Sequence, residues 1–345
     1  MKKALIVLLI LAVAGGLFAV DISGKVSTGI NFALTDEDIP VSATEPVKAE
    51  LNFTGGGDDW GAKIGTSATR LDGSGLSVGD AFGWVNFGDI FTLSAGTGRG
   101  GWGTAGPWEG SVDEALGVKL EVKPIAGLNF GIRLGFPNDG VKANKLANFF
   151  QETGIGVTYG ADAFSIAAGV NLYSEETTGV AADPDDPTVV PKEGGLDASF
   201  YAGFQYTGLS FVTISVDGGM DNAMKKGADE STAYLGEKFS GDVSGLGWEV
   251  WSKQKFTDPL SVTAGAKLTY GFDLTDAAHL GLEAGADLTI MDEFNFDDVY
   301  AKVNLDYKFN GNVSTGFEFK LTDTMEKGKD ADIAAYLKWT IGFSF

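Results

Sequence analysis

The sequence contains no cysteine and only one histidine, His279. Without cysteine the chain has no disulfide framework and no lipid-modified N-terminus. A hydrolase would need its histidine beside a nucleophile and an orienting group, and nothing in the sequence around His279 suggests such a constellation. We therefore expect no enzymatic activity and no cofactor.

Basic residues are scarce. The 345 residues include 25 lysines and arginines against 47 aspartates and glutamates, which gives a net charge of −22. Three of the basic residues are arginines: Arg70, Arg99 and Arg133. Because binding to nucleic acid depends on basic patches that neutralise phosphate, this excess of acid argues against a nucleic-acid partner.

Long apolar runs are absent except at the N-terminus. Lys2 and Lys3 precede an apolar run that extends to Val20 and ends in small residues. This order is typical of a signal peptide cleaved after residue 19. A membrane anchor is the alternative, but the run is short for a span and no stop-transfer pattern follows it. We expect residues 1–19 to be the signal peptide and residues 20–345 to form one mature domain.

Two short patterns suggest binding sites but lack the required context. Residues 96–101 satisfy G-x-G-x-x-G, yet no helix or βαβ unit surrounds them, as dinucleotide binding would require. Asp183, Asp185 and Asp186 could supply carboxylate oxygens to Ca²⁺, but they lack the spacing and the glycine of an EF-hand loop. A solvated loop tip is the simpler interpretation of these three aspartates, and we otherwise expect no metal site.

The sequence does contain a regular alternation of apolar residues with small or polar ones. From Asp332 to Phe345 every second residue is apolar, and the residues between them are mostly small or polar. A period of two indicates a strand with one apolar face. The segment is longer than a usual strand of a soluble domain and longer than the roughly 9–11 residues that cross a bilayer as a tilted strand. It therefore predicts a transmembrane β-strand.

The same alternation recurs along residues 20–345 and yields about eighteen candidate strands. Sixteen remains the alternative, because the pattern is poorly defined at residues 60–97 and 233–253. Short turns alternate with long acidic connections, which is the pattern of an outer-membrane barrel, although residues 256–259 are short where a long connection is expected. We predict an all-β fold, a transmembrane antiparallel β-barrel of 16–18 strands.

The alternation also predicts which side chains contact lipid and which contact water. On three strands of the C-terminal half, the residues predicted to contact lipid are Leu268, Leu282 and Val303. Their neighbours, predicted to contact water, are Lys267, Glu283 and Lys302.

The last strand resembles the C-terminal strand of bacterial outer-membrane β-barrels. In those proteins the terminal phenylalanine and the alternating aromatics are recognised by the assembly machinery. The resemblance implies that Trp339, Phe343 and Phe345 form an assembly signal. It also implies that the chain is exported to the bacterial outer membrane, where its partners are lipid and that machinery.

Two stretches resemble the general bacterial porins, which are trimeric diffusion channels. Residues 21–32 resemble their first strand, in which a lysine after glycine points into the pore, here Lys25. Residues 81–99 resemble their fourth and fifth strands, which end in an arginine of the pore constriction, here Arg99. The resemblance implies that the third long loop, residues 98–114, folds back into the barrel.

These observations lead us to expect a homotrimeric porin for passive diffusion of small hydrophilic solutes and ions. Across its narrowest section we expect Glu109, Asp113 and Glu114 to oppose Lys25, Arg99 and Arg133. Most of the negative charge is expected in loops and turns, which predicts a modest cation preference. The alternative is a surface adhesin or structural barrel whose acidic loops bind a partner.

Overall fold

The computed structural model describes residues 20–34, 41–69, 77–97, 101–112, 117–135, 153–174, 196–224, 231–290, 294–324 and 332–345. They contain eighteen β-strands: β1 (Val20–Ala33), β2 (Val41–Gly57), β3 (Trp60–Thr69), β4 (Ser77–Phe87), β5 (Phe91–Thr97), β6 (Gly117–Val122), β7 (Leu128–Gly135), β8 (Thr153–Gly160), β9 (Phe164–Ser174), β10 (Leu196–Leu209), β11 (Val212–Asp221), β12 (Thr232–Val243), β13 (Leu246–Phe256), β14 (Ser261–Thr275), β15 (Ala278–Ile290), β16 (Phe294–Asn310), β17 (Val313–Thr324) and β18 (Asp332–Ser344).

Each strand pairs antiparallel with its neighbours in sequence, and β1 also pairs with β18, so that the sheet closes into a barrel. The all-β barrel predicted from the sequence is confirmed. Of the two strand numbers that the sequence left open, eighteen is correct and sixteen is wrong. The poorly defined segments at residues 60–97 and 233–253 form complete strands, because each pairs with neighbours on both sides.

The connections divide the barrel into two rims. One edge, the turn rim, carries the short connections, such as residues 58–59 and 311–312. The opposite edge, the loop rim, carries connections as long as residues 175–195. Two connections at the loop rim are short, at residues 257–260 and 291–293, so the short connection noted in the sequence fits a count of eighteen.

The two ends of the barrel meet at the turn rim. The backbone N–H and C=O of Phe345 pair with those of Gly24 at 3.1 and 3.0 Å. The Phe345 ring lies over Gly24, where a Cβ would come within 2.4 Å of the ring. This contact, which closes the barrel, therefore depends on glycine at position 24 of β1.

Alternate residues face the outside and the inside of the wall, as the sequence predicted. Leu268 on β14 lies in one row with Ala284 on β15, and Leu282 on β15 lies in the same row as Val303 on β16. These outer side chains are 39–51% exposed (Leu268, Leu282 and Val303). An apolar outer wall of this kind suits contact with lipid.

The inner row of the same strands is polar and ion-paired. Glu283 pairs with Lys302 across β15 and β16, with Nζ 3.5 Å from Oε2, and Lys267 pairs with Glu249 at 3.6 Å. The predicted facing of these strands is confirmed. No helix within the described ranges is long and apolar enough to cross a membrane.

Candidate functional site

Residues 101–112, here called the inner loop, follow β5 and lie against the inner wall of the barrel. The loop folds on itself like a small hairpin: Thr104 N donates to Gly110 O (2.8 Å), and Val112 N donates to Trp102 O (3.0 Å). Trp102 and Val112 are only 1% exposed and, with Tyr201 of β10, form a small apolar core. The prediction that the third long loop folds into the barrel is confirmed for these twelve residues.

Asp217 on β11 holds the tip of the inner loop. Its Oδ2 accepts hydrogen bonds from the Thr104 hydroxyl (2.8 Å) and the Glu109 backbone N–H (2.9 Å), and its Oδ1 accepts one from the Trp108 backbone N–H (3.2 Å). Asp217 is 2% exposed. A buried carboxylate is stable when hydrogen-bond donors surround it. Three such bonds from one loop fix the loop's position, and Gly106 allows the close approach because a Cβ there would meet the carboxylate.

Glycines on the inner wall make room for the loop. A Cβ at any of five wall positions would lie 2.2–2.7 Å from a side-chain atom of the inner loop: Gly131 and Gly156 against Trp102, Gly154 against Val112, Gly203 against Thr104, and Gly236 against Trp108. These five glycines, here called the glycine bed, lie on β7, β8, β10 and β12 and so span several strands. Larger residues there would push the loop toward the centre of the barrel.

Charged residues are buried behind the loop. Lys119 on β6 lies 4.5 Å from the centre of the Trp102 ring and 3.4 Å from Oε1 of Glu121. Arg133 pairs in register with Lys119 on the adjacent strand, and all three of these charged residues are only 4–6% exposed. The Tyr201 hydroxyl donates to Trp102 O and ties the loop to β10. The loop thus covers part of the charged inner wall.

An aromatic cluster secures the other side of the loop. The Trp108 ring lies 4.9 Å from the Tyr234 ring of β12, and its indole N–H donates to Leu235 O (2.8 Å). Lys253 of β13 places its ammonium group 5.5 Å from the Trp108 ring and 5.6 Å from the Trp251 ring. These contacts hold the loop on the β12–β13 wall, so the loop bridges the inside of the barrel from β6 to β13.

The wall formed by β15, β16 and β17 carries accessible charges of both signs. Lys302 lies 3.5 Å from Glu283 and 3.9 Å from Glu318, and Lys320 lies 3.7 Å from Asp298. The side chains of these five residues are 22–38% exposed. This wall is therefore accessible to solvent, and its three acids slightly outnumber its two lysines.

The six residues predicted for a pore constriction fall in different places. Lys25 on β1 is exposed and faces inward, opposite Glu50 in register. Glu109 is exposed at the loop tip, where its backbone has a positive φ of 54°. Arg133 faces inward as predicted but lies buried in the wall, 4% exposed. Arg99, Asp113 and Glu114 lie outside the described residues.

The remaining residues singled out in the sequence lie elsewhere in the barrel or outside the described residues. Trp339 and Phe343 lie on the outer face of β18, where the Trp339 indole N–H donates to the Thr315 hydroxyl (2.8 Å). His279 is exposed beside Asp273, with Nδ1 2.9 Å from Oδ1, close to the 276–277 turn. Asp183, Asp185 and Asp186 lie outside the described residues, and no cluster of metal-binding side chains occurs within the described ones.

Sequence reasoning missed Asp217 and the glycine bed. Asp217 continues the inner row of β11, two residues beyond Ser215, and the sequence pattern placed the strand end at Val216. An acid in an inner row is not unusual, so nothing marks it as the partner of a loop more than 100 positions earlier. The glycines have no side chain that could mark a face, and their spacing shows nothing of what packs against them.

No protein-family model matches this chain, and no curated protein matches it significantly. Solved structures match over nearly its whole length. OccAB3 of Acinetobacter baumannii is 10% identical with a TM-score of 0.57, covering 95% of this chain and 99% of that one. The trimer form of the outer membrane protein OmpT of Vibrio cholerae is 13% identical with a TM-score of 0.50, covering 95% and 99%.

A third solved structure is Wzi of Escherichia coli, described as a carbohydrate-binding β-barrel of the outer membrane involved in group 1 capsule assembly. It is 12% identical with a TM-score of 0.51, and the match covers 94% of this chain and 84% of that one. At such low identity these likenesses show the fold alone, which is that of outer-membrane β-barrels.

Proposed function

We propose that this chain is an outer-membrane porin, a passive diffusion channel for small hydrophilic solutes and ions. The observation that carries the proposal is the inner loop, held by Asp217 inside an eighteen-stranded barrel with wet, charged walls. A barrel of this strand number is wide enough to leave an aqueous channel. A loop fixed against one wall narrows that channel without closing it.

The proposal includes the context in which such a pore works. Residues 1–19 serve as the export signal, the outer membrane is the location, and three copies assemble into a homotrimer. Lipid contacts the apolar outer wall, and the assembly machinery recognises Trp339 and Phe343 on β18 together with Phe345, which follows it. Passage is passive, so the pore performs no chemical step and needs no cofactor.

Selectivity follows from which charges are accessible near the loop. Glu109 is exposed at the loop tip, whereas Arg133, Lys119 and Glu121 are buried behind the loop. We assign Arg133 to supporting the loop, and Lys25, Arg99, Asp113 and Glu114 to lining the pore with Glu109. An accessible carboxylate at a narrow section raises the local concentration of cations, which produces a modest cation preference.

The experiment is conductance in planar bilayers, with the zero-current potential measured across a KCl gradient. Wild type is expected to conduct with a modest cation preference. Glu109→Gln, alone and with Asp113→Asn, should reduce that preference. The preference should also weaken with salt, because the screening length falls from about 10 Å at 0.1 M to about 3 Å at 1 M.

Asp89→Asn is the matched control, because it removes one exposed carboxylate from the turn rim, away from the inner loop. It should leave selectivity unchanged. Anion preference in the wild type, or equal effects of the two substitutions, would contradict the assignment of Glu109. A folded barrel that does not conduct would favour the adhesin, whose acidic loops lie largely outside the described residues.

A further inference from the structure

Among the described residues, the outer wall carries a charged side chain far from both rims at one place, in the middle of β12. Glu237 is the sixth residue of the twelve-residue strand β12. It lies in the same row as Val216 of β11 and Ser252 of β13, and Gly236 beside it faces the inner loop. Glu237 therefore points out of the barrel, between the outer residues Leu235 and Phe239.

Two polar side chains lie beside the Glu237 carboxylate on the outer face. The Ser252 hydroxyl donates to Oε2 of Glu237 at 2.5 Å, and the Gln254 amide donates to the same oxygen at 3.3 Å. No hydrogen bond from the described residues reaches Oε1. These three side chains, here called the outer polar patch, combine a charged acceptor with hydroxyl and amide donors. Each is only partly exposed.

Lipid chains are a poor environment for this patch. Hydrocarbon offers neither hydrogen bonds nor counter-charge to a carboxylate, so a charge on the lipid face is destabilising. Asp323, another outward acid, lies one residue from the end of β17 at the loop rim, where water is close. Glu237 instead lies mid-strand, with exposed Phe239 and Val250 on one side and exposed Phe256 on the other.

The neighbouring wall is smooth enough for a second protein surface to approach closely. Next to the outer polar patch, the outer rows of β14 and β15 carry Ala264, Ala266, Ala284 and Ala286. Small side chains let two surfaces in a membrane come close, and polar groups between them then form hydrogen bonds shielded from lipid. The outer wall thus combines the outer polar patch with an alanine flank, the row of small side chains on β14 and β15.

We propose that the outer polar patch and its alanine flank form the surface through which copies of this chain contact one another. Copies related by a two-fold axis place the same patch face to face, and copies around a three-fold axis bring it together where the patch lies beside the axis. The patch suits this arrangement because the Gln254 amide of one copy has a second N–H to donate, and Oε1 of Glu237 in the next copy can accept it. No lysine or arginine occurs among the described outward-facing residues. A second copy therefore offers Glu237 no cation from these residues, and the donors for its carboxylate come from the same patch.

This proposal names the contact surface of the oligomer, and it does not rest on conduction through the pore. The first test uses the absence of native cysteine. Ala264→Cys places one thiol beside the patch, and Ala95→Cys places one on the outer face of β5, on the far side of the barrel. After oxidation in outer membranes, the first variant should form disulfide-linked dimers of the chain and the second should not.

The second test removes the charge. Glu237→Leu should shift the native protein from oligomer to monomer, while the folded monomer becomes no less resistant to urea, because a charge has left the lipid face. Val303→Leu, on the outer wall of β16, is the control and should leave the oligomer intact.

Three results would overturn the proposal: equal cross-linking at Ala264→Cys and Ala95→Cys, cross-linking of Ala264→Cys to another protein in place of a second copy, or a Glu237→Leu oligomer as stable as wild type. Conductance of the same variants, measured separately, reports on the pore alone.

Discussion

At the scale of single residues, the inner loop depends on Asp217. This carboxylate accepts three hydrogen bonds from Thr104, Trp108 and Glu109, and it is 2% exposed. Hydrogen bonds to charged groups contribute about 1.5–3 kcal/mol each. The apolar contacts of Trp102 and Val112 hold one side of the loop, and the tip, where Glu109 is exposed, is held by the aspartate together with the Trp108 side chain.

Asp217→Ala should release the loop tip and leave the barrel folded, because the strand pairing of β11 uses backbone groups. We expect larger single-channel conductance and more current noise, measured in planar bilayers, with heat-modifiable migration on gels as the check on folding. Ser215→Ala is the control, since Ser215 lies in the same inner row and bonds Gln205 on the neighbouring wall strand. Unchanged conductance and noise in Asp217→Ala would show that the aspartate does not hold the loop.

At the scale of the strand, the alternation of side chains decides where a charge is tolerated. Leu282 and Glu283 are consecutive residues of β15, yet Leu282 is in the outer row and Glu283 is paired with Lys302 in the inner row. Adjacent positions in one strand therefore experience different solvents, lipid on one side and water on the other.

Leu282→Arg should destabilise the barrel by about 2–4 kcal/mol if its site is near the bilayer midplane. Glu283→Arg should cost far less, because its side chain remains in water, although it loses the ion pair with Lys302. Urea unfolding in lipid vesicles measures both. Equal losses, or the reverse order, would mean that the wall faces lipid with the opposite set of residues.

At the scale of the whole molecule, the barrel is complete only when β18 meets β1. Nine residues of β1 pair with β18, and the backbone of Phe345 adds the last pair with Gly24 at the turn rim. A closed barrel leaves no unpaired edge within the membrane. The last residue thus contributes to closure in addition to its proposed part in the assembly signal.

Deletion of Phe345 should lower the amount of folded, heat-modifiable protein in the outer membrane. Phe345→Leu keeps the backbone pairing with Gly24 and loses only the aromatic ring. A defect in both variants would show that the ring is needed, for recognition by the assembly machinery or for its contact with Gly24. A defect in the deletion alone would indicate the closing backbone pair. Normal folded yield in both would remove Phe345 from assembly altogether.

The sequence by itself determined the wall of this protein. An antiparallel wall between two solvents imposes a period of two on every strand, and that period can be read locally, as in β14 to β18. The alternation is harder to recognise where the inward and outward residues of a strand are similar in polarity. On β4, Phe82 and Trp84 face inward beside small outward residues, and on β12 and β13 the outer polar patch places Glu237, Ser252 and Gln254 among apolar neighbours.

Only the tertiary structure decided the strand number, the position of the inner loop and the contacts that hold it. Asp217 and Thr104 are 113 positions apart, and the glycine bed draws on four strands. Such contacts depend on how strands fold around a common axis, and no local period records that. Arg133 shows the consequence: its inward direction followed from the alternation, but its burial depends on the loop that covers the wall.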